Sequence, residues 1–205
     1  MTIYSTTAQQ GIDVNAVFLL DPVNALEYPS PPFQPGELAW GTDGSEWVFC
    51  TASVTISAGN AVLISQFPGS WSVNPIQGLT MVQTNAVAIN GISAVTTAAP
   101  VGLLVGVVGG STGTMAVPAP SGTQVGSYFW VQRAGNAPNL SMSGTGGIMA
   151  SPLHTTTSAG SLSSAGGGTG TTCQISGIVW SLATASATGP NTAILNYPYI
   201  SSASA

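Results

Sequence analysis

Side chains that could do acid–base, nucleophilic or metal chemistry are few in this sequence and far apart. Its 205 residues include one His, two Cys, six acids and a single Arg, with no Lys. Zinc sites need several His or Cys ligands close together, but His154, Cys50 and Cys173 are widely separated. His154 could act as a general base or a pH switch, although a solvated loop residue explains it better. No metal site is therefore predicted.

Motifs of catalytic sites are matched only formally. Residues 109–113 read G-G-S-T-G, which fits the G-x-S-x-G pattern of serine hydrolases. That motif requires a strand-to-helix turn, but TMAVPAP follows it, and no acid comes after Ser111 to give the order Ser, acid, His. A phosphate-binding P-loop needs a Lys, which the chain lacks. We expect no catalytic residue and no cofactor, and hence no enzyme.

The charges are few and unevenly distributed. Charged residues make up 3% of the chain, against about a quarter in an average domain. The formal net charge is −5, and the only cation is Arg133. Such a chain cannot neutralise a run of phosphates, so nucleic acids and anionic membranes are excluded as direct ligands. All the acids precede residue 47: Asp13, Asp21, Glu27, Glu37, Asp43 and Glu46.

Targeting signals and membrane spans are not predicted. The first residues show neither the basic nor the apolar region of a secretory signal. The longest apolar run, residues 101–110, is too short and too rich in Gly for a spanning helix. We expect a soluble chain made in the cytoplasm, where Cys50 and Cys173 are buried thiols more often than a disulfide.

Signals for β-strands dominate from residue 43 onward. The turn pair Asp43-Gly44 is followed by aromatic and β-branched residues at 46–56, and Asn90-Gly91 predicts a type I′ hairpin. Short strands separated by Gly, Pro and Asn predict an all-β fold, a sandwich or barrel of short antiparallel strands. Further strands are predicted at residues 60–65, 101–108, 114–117, 128–133, 140–142, 173–182 and 193–199.

The organisation along the chain is uneven. Residues 1–42 are acidic and rich in Pro, which favours an extended N-terminal arm or connector ahead of a β-domain at 43–205. Residues 155–172 consist mainly of Gly, Ser and Thr and predict a flexible loop. Residues 44–53 and 126–135 share Gly-Ser and then Trp-Val, which leaves open two related β-units or a chance similarity.

The single Arg lies in an aromatic strand, YFWVQRAGNAP. Strand alternation places Tyr128 and Trp130 on one face and Phe129 and Arg133 on the other, so both faces should be covered. We expect Arg133 to hydrogen-bond backbone carbonyls or an N-terminal acid, within its subunit or across a subunit boundary. An exposed Arg with its stem over Trp or Phe is an equally good alternative.

The low charge also bears on the edges of the sheet. Soluble β-proteins protect open edges with Lys or other charges, and this chain has almost none. Its edges must therefore be closed, covered or paired with another chain. A neutral surface with exposed apolar area is typical of permanent assemblies, in which neighbours bury the patches.

Three segments resemble small virion proteins of tailed bacteriophages: NAVAINGISAV, VGLLVGVVGG and GSYFWVQRAGNAP. Capsid decoration, or cement, proteins often look like this. The resemblance implies a structural protein on the outside of the virion's capsid that bridges neighbouring major capsid proteins, commonly as a homotrimer, and stabilises the capsid without a catalytic step. The acidic N-terminal part and the Gly/Ser/Thr loop depart from many such proteins.

These considerations single out five interface candidates. The N-terminal arm, through Tyr28 and Phe33, is predicted to contact the capsid or an adjacent subunit. Trp40, Trp130 and Arg133 are the further candidates.

Two other functions remain open. A fibre, tail or spike component would be equally oligomeric and poor in charge. A carbohydrate-binding module is the alternative of another class, with Trp40, Trp47, Trp71 and Trp130 as a stacking platform. Against it, Trp in strands more often belongs to the core.

Overall fold

The chain folds into strands wherever a computed structural model describes it. The described residues are 3–5, 12–19, 33, 36–52, 56–65, 80–83, 104–109, 114–116, 127–142, 151–155, 160–164, 173–180 and 189–203. They contain no helix, which confirms the all-β prediction. The strands are β1 (Ile3–Ser5), β2 (Val17–Leu19), β3 (Leu38–Gly41), β4 (Glu46–Ala52), β5 (Ile56–Ser57), β6 (Ala61–Ser65), β7 (Thr80–Gln83), β8 (Leu104–Val108), β9 (Thr114–Ala116), β10 (Ser127–Met142), β11 (Leu153–Thr155), β12 (Leu162–Ser163), β13 (Cys173–Trp180) and β14 (Gly189–Ala203).

The long strand β10 closes the main sheet into two rings. In the first ring β10 pairs with β4, β4 with β7, β7 with β6, β6 with β8, and β8 again with β10. The second ring runs from β10 through β14, β13, β11 and β12 back to β10. Both rings belong to one 12-stranded sheet, which β1, β2 and β3 extend, while β5 and β9 form a separate pair.

The strands of this all-β fold are neither all short nor all antiparallel. β10 has 16 residues and β14 has 15. The pairs β4–β7 and β10–β12 are parallel. The reason is topological: directions cannot alternate around a ring with an odd number of strands. Each five-stranded ring therefore contains one parallel pair.

Gly135 explains why one strand occupies the place of two predicted strands. The sequence RAGNAP suggested a turn, but Gly135 lies within β10 at a φ of 92°. A Cβ atom here would lie 2.8 Å from the Cα of Ser45. Pairing shifts register on either side, between Gln132 and Ala134 and between Ala137 and Leu140. Gly135 thus permits a bulge in β10 and the close approach of two strands. The strand therefore bends at this point and does not end there.

Strands β6 and β8 are buried on both faces and separate two apolar cores. Val62 and Ile64 point into the first ring, where they pack with Val131. Leu63 points the other way, into the core of the second ring, which contains Trp180. This explains why β6 reads as a continuous apolar run rather than an alternating one.

A third cluster covers the outer face of the first ring and is mainly aromatic. It includes Phe49 and Trp130, whose ring centroids lie 5.0 Å apart. Phe33 packs on Trp130 at 5.1 Å, and Phe18 of β2 packs on Phe49 at 5.8 Å. Phe129 lies on the opposite face, inside the first ring. The predicted facing of this strand is therefore confirmed, and the described part of residues 1–42 packs on its own chain.

Gly59 joins the two rings at a junction of backbone hydrogen bonds. The Gly59 amide donates to the Val108 carbonyl at 3.0 Å, and the Ser141 amide donates to the Gly59 carbonyl at 2.8 Å. The next contact involves the segment 155–172: the Ala61 amide donates to the Gly160 carbonyl at 2.7 Å.

The prediction of a flexible loop at 155–172 is wrong for residues 160–164. Leu162 is fully buried in the core of the second ring, and β12 pairs with both β10 and β11. One buried Leu gives this Gly- and Ser-rich segment a place in the core, which its composition did not indicate. The hairpin predicted at Asn90-Gly91 lies outside the described residues.

Cys50 is a free thiol, fully buried inside the first ring. Burial raises the pKa of this thiol far above its ordinary value, and the nearby positive charge of Arg133 opposes the shift. The prediction of a buried thiol is thus confirmed for Cys50. The side chain of Cys173 lies outside the described part of the chain.

The free energy of unfolding should decrease above about pH 9. Cys50 ionises in the unfolded chain but stays protonated in the folded one, so the loss should approach about 1.4 kcal/mol per pH unit. Urea unfolding between pH 8 and 10 measures this slope. Cys50→Ala removes the ionisable group without adding volume and should reduce this slope; an unchanged slope would show that the thiol does not cause it.

Candidate interaction surface

Exposed apolar side chains concentrate on β13 and β14. Five large apolar side chains of the described residues have exposed fractions between 39% and 51%, and four of them lie on these two strands. Neither strand contains a charged residue. We call Val179, Ile194, Tyr197 and Tyr199 the β14 surface. The fifth exposed side chain is Trp40 of β3.

One half of the β14 surface is aliphatic. Val179 of β13 and Ile194 of β14 are direct partners across the two strands. Their sequence neighbours Ile178 and Leu195 are buried on the inner face. Cross-strand partners on one face lie in contact distance, so Val179 and Ile194 form one apolar patch in solvent.

The other half is aromatic and depends on a bulge in β14. Pairing with β13 jumps from Ile178–Leu195 to Ser176–Tyr199, which inserts extra residues into β14. Tyr197 lies in this bulge with a φ of 47°, a left-handed conformation that costs a non-glycine residue about 1–3 kcal/mol. The bulge turns Tyr197 to solvent, where strict alternation would have buried it.

Gly177 makes room for this bulge on the facing strand. Its φ is 81°, and an added Cβ would lie 2.6 Å from the carbonyl oxygen of Asn196 and 2.9 Å from the Cα of Pro198. Only glycine fits this approach of the two backbones without displacement.

Tyr197 reaches across β10 to the first ring. Ala134 of β10 pairs with Glu46 on one side and with Asn196 on the other, so β10 lies between β4 and β14 here. The Tyr197 hydroxyl donates a hydrogen bond to Glu46 Oε2 at 2.8 Å. Beside Ala134, the Cζ atom of Arg133 lies 5.4 Å from the centroid of the Tyr197 ring, a cation–π contact.

This cluster holds Tyr197 as a protonated donor. The hydrogen bond to Glu46 and the negative charge of that carboxylate raise the pKa of Tyr197, and the charge of Arg133 acts in the opposite direction. Glu46 itself is only 7% exposed. The Tyr197 ring is thus held at its hydroxyl by Glu46 and on one face by Arg133.

Within its own chain, Arg133 contacts an aromatic ring. Among the described residues its guanidinium makes no hydrogen bond to a backbone carbonyl or an acid, and its buried Nε atom has no partner. Its link to the N-terminal acid Glu46 passes through Tyr197. The aromatic partner is a Tyr from the far end of the chain, rather than Trp or Phe.

Trp40 lies beside the same cluster. It is the direct partner of Glu46 in the pairing of β3 with β4, so the two side chains share a face of the sheet. Trp40 is 39% exposed. Trp40, Glu46 and Tyr197 are therefore neighbours, with two aromatic side chains exposed around one carboxylate.

Other sequence candidates lie away from this surface. Trp130 has no exposed area and Trp47 is buried with it, so both occupy the core position that the sequence favoured over a stacking platform. Phe33 covers Trp130 within the same chain. Tyr28 and Trp71 fall outside the described residues.

The residues that were considered for catalysis or metal binding also lie apart from one another. His154 lies in β11, paired with Ser163 and Gln174, and is not the solvated loop residue expected. Asp43 accepts hydrogen bonds from the amide and hydroxyl of Ser45, and the hydroxyl bond lowers the pKa of Asp43. Asp43 therefore caps its turn, and no group of three His, Cys, Asp or Glu in the described parts could hold a metal. Ser111 is outside the description.

Sequence reasoning missed Glu46, Tyr197 and Tyr199 as a group. The signal that was available was Pro198 inside an otherwise regular strand, because Pro in a strand marks an edge or a bulge. Applied to β14, it would have questioned the alternation that assigns Tyr197 and Tyr199 to the same face as buried Leu195.

Comparison with known proteins suggests no function for this chain, so its function is inferred from the exposed surface. No family model matches the chain, and no curated protein matches it. In the part that the structure describes, no helix has the length and apolar character needed to cross a membrane.

Proposed function

We propose that this chain is a structural protein of a phage virion that binds the outside of the capsid and stabilises the junctions between capsomers. The observation that carries the proposal is the uncharged β14 surface on a chain with 3% charged residues. Large exposed apolar patches on charge-poor proteins mark contacts with other proteins. The partners in this proposal are the major capsid protein and other copies of the chain, as a homotrimer.

Because both rings are closed, open edges in these rings are not the cause of assembly with other molecules. The edges of both rings are paired within the chain through β10. Of the three expected solutions (closed, covered or paired with another chain), the two rings use closure, so no neighbouring molecule is needed at these edges. Among the described residues, a neighbour could bury the apolar area of Val179 and Ile194, and burial of such area favours association by about 25 cal/mol per Å².

Attachment through the β14 surface also replaces attachment through the N-terminal arm. Residues 12–19 and Phe33 already cover the aromatic cluster of their own chain. Deleting residues 1–40 would uncover that cluster and remove most of β3, so it would test folding as much as attachment. A surface substitution is the cleaner experiment.

The test replaces Val179 and Ile194 by Thr, which keeps the β-branched shape and removes apolar area. We expect the double variant to fold normally and to fall to about a tenth or less of the wild-type copies per purified particle, measured by quantitative mass spectrometry. Asn136→Ser is the matched control, since Asn136 is exposed and pairs directly with Ile194. Full occupancy by the double variant would refute attachment through this patch.

Imaging of the particle tests the location. Copies that follow the icosahedral symmetry of the head are expected for a decoration protein. Copies confined to the vertices or the tail would instead make the chain a fibre, spike or tail component.

A further inference from the structure

Two exposed aromatic side chains, Trp40 and Tyr197, lie beside Glu46. Trp40 is the cross-strand partner of Glu46, and Tyr197 binds its carboxylate. Tyr199 follows Tyr197 by two positions and is also exposed. The aliphatic pair of Val179 and Ile194 makes none of these contacts with Glu46.

The Tyr197 ring has an exposed surface and a fixed orientation. Arg133 lies against one face of the ring, and the side chain is still 48% exposed, which leaves ring surface open to a ligand. The hydroxyl is held by Glu46. A ring held in place before a ligand arrives loses little rotational freedom when the ligand stacks on it.

The backbone conformation at Tyr197 also supports a ligand site. Tyr197 is the only described non-glycine residue with a positive φ, and Gly177 is needed on the facing strand. An exposed side chain in a strained conformation is not explained by packing of the core. Strain of this kind clusters at ligand sites.

We infer that Trp40, Tyr197 and Glu46 form a binding site for a neutral polysaccharide. The C–H faces of sugar rings would stack on Tyr197 and on Trp40, and sugar hydroxyls would donate to the hydroxyl oxygen of Tyr197, which Glu46 holds in place. The opposite charges of Glu46 and Arg133 balance, and β13 and β14 carry none, so the site favours an uncharged ligand. This inference goes beyond attachment to a capsid and does not depend on it.

The chemistry favours a sugar polymer over a protein at this position. A protein contact would bury the aliphatic pair and needs no polar acceptor between the rings. Here two aromatic side chains flank a carboxylate that already accepts one hydrogen bond. Aromatic faces beside a hydrogen-bond acceptor match a ligand with apolar ring faces and a hydroxyl rim.

The experiment uses the full chain and four soluble neutral polysaccharides as probes: dextran, mannan, laminarin and hydroxyethylcellulose. Affinity electrophoresis should show retardation by at least one of them. Tyr197→Ala and Trp40→Ala should each weaken that association by about tenfold. Tyr197→Phe keeps the ring and removes its bond to Glu46, and should weaken binding less.

Controls separate this site from the capsid contact and from loss of folding. The Val179→Thr/Ile194→Thr variant should bind the polysaccharide like the wild type, and circular dichroism of each variant checks its fold. Absence of binding to all four polymers, binding that survives both aromatic substitutions, or binding only to anionic dextran sulfate would overturn the inference. Loss of self-association in Trp40→Ala, without polysaccharide binding by the wild type, would overturn it in favour of a contact between copies.

Discussion

Replacing Gly59 with alanine should lower the free energy of unfolding by at least about 3 kcal/mol. Gly59 has a φ of 74°, and an added Cβ would overlap the carbonyl oxygen of Asn139 in β10. Neither backbone can move away easily, because Gly59 is bonded to both Val108 and Ser141. The substitution therefore adds a steric overlap to a strained conformation at the junction of the two rings.

Gly44→Ala is the matched control for this experiment. Gly44 has a φ of 80°, similar to that of Gly59, but no atom lies within 4 Å of its added Cβ. Only the conformational cost of about 1–2 kcal/mol is expected there. Urea unfolding at neutral pH compares the two variants. Equal losses would show that the contact between Gly59 and β10 contributes nothing.

Trp130→Ala should cost about 3–5 kcal/mol, the usual range for a large aromatic side chain removed from a core. Trp130 has no exposed area and lies against the rings of Phe33 and Phe49. The cavity would lie between β10 and the N-terminal residues that cover it. We therefore also expect faster amide hydrogen exchange in β2, whose Phe18 belongs to the same cluster.

Trp40→Ala provides the comparison, because Trp40 is partly exposed and outside the three clusters. Its loss should lower the free energy of unfolding by about 1–2 kcal/mol, clearly less than the loss of Trp130. Similar destabilisation by the two Trp substitutions would contradict the assignment of Trp130 to the core. Unchanged exchange in β2 of Trp130→Ala would show that the N-terminal cover does not rest on Trp130.

Local sequence patterns predicted much of the strand content and the facing of β10. Alternation from Tyr128 to Val131 holds because this stretch pairs regularly with β4. It ends at Arg133, where Gln132 and Ala134 pair with successive residues of β4 and leave Arg133 in a bulge. After a bulge, the alternation of inward and outward side chains restarts. The residue at which it restarts depends on the partner strand, which the local sequence does not reveal.

The two similar segments, 44–53 and 126–135, pair with each other in the sheet. Val48 and Val131, which follow the Trp residue in each segment, are direct partners in the pairing of β4 with β10. The similar segments are therefore neighbours in one ring and do not mark one ring each. A repeat in the sequence does not reveal which strands pair.

The candidate site depends on contacts that no local pattern contains. Glu46 and Tyr197 lie 151 positions apart, and they meet only because β10 passes between their strands. The bulge that exposes Tyr197 requires Gly177 on another strand. Composition correctly indicated a surface almost free of charge, but it could not locate the exposed apolar area on β13 and β14.

The strand common to both rings makes this chain indivisible. A fragment that retained one complete ring would have to take β10 with it, and the remaining strands would be left as an open ribbon with unpaired backbone groups. The two halves can therefore be neither excised nor exchanged as separate modules, although each has a core of its own. A destabilising substitution in β10 would therefore weaken both rings at once.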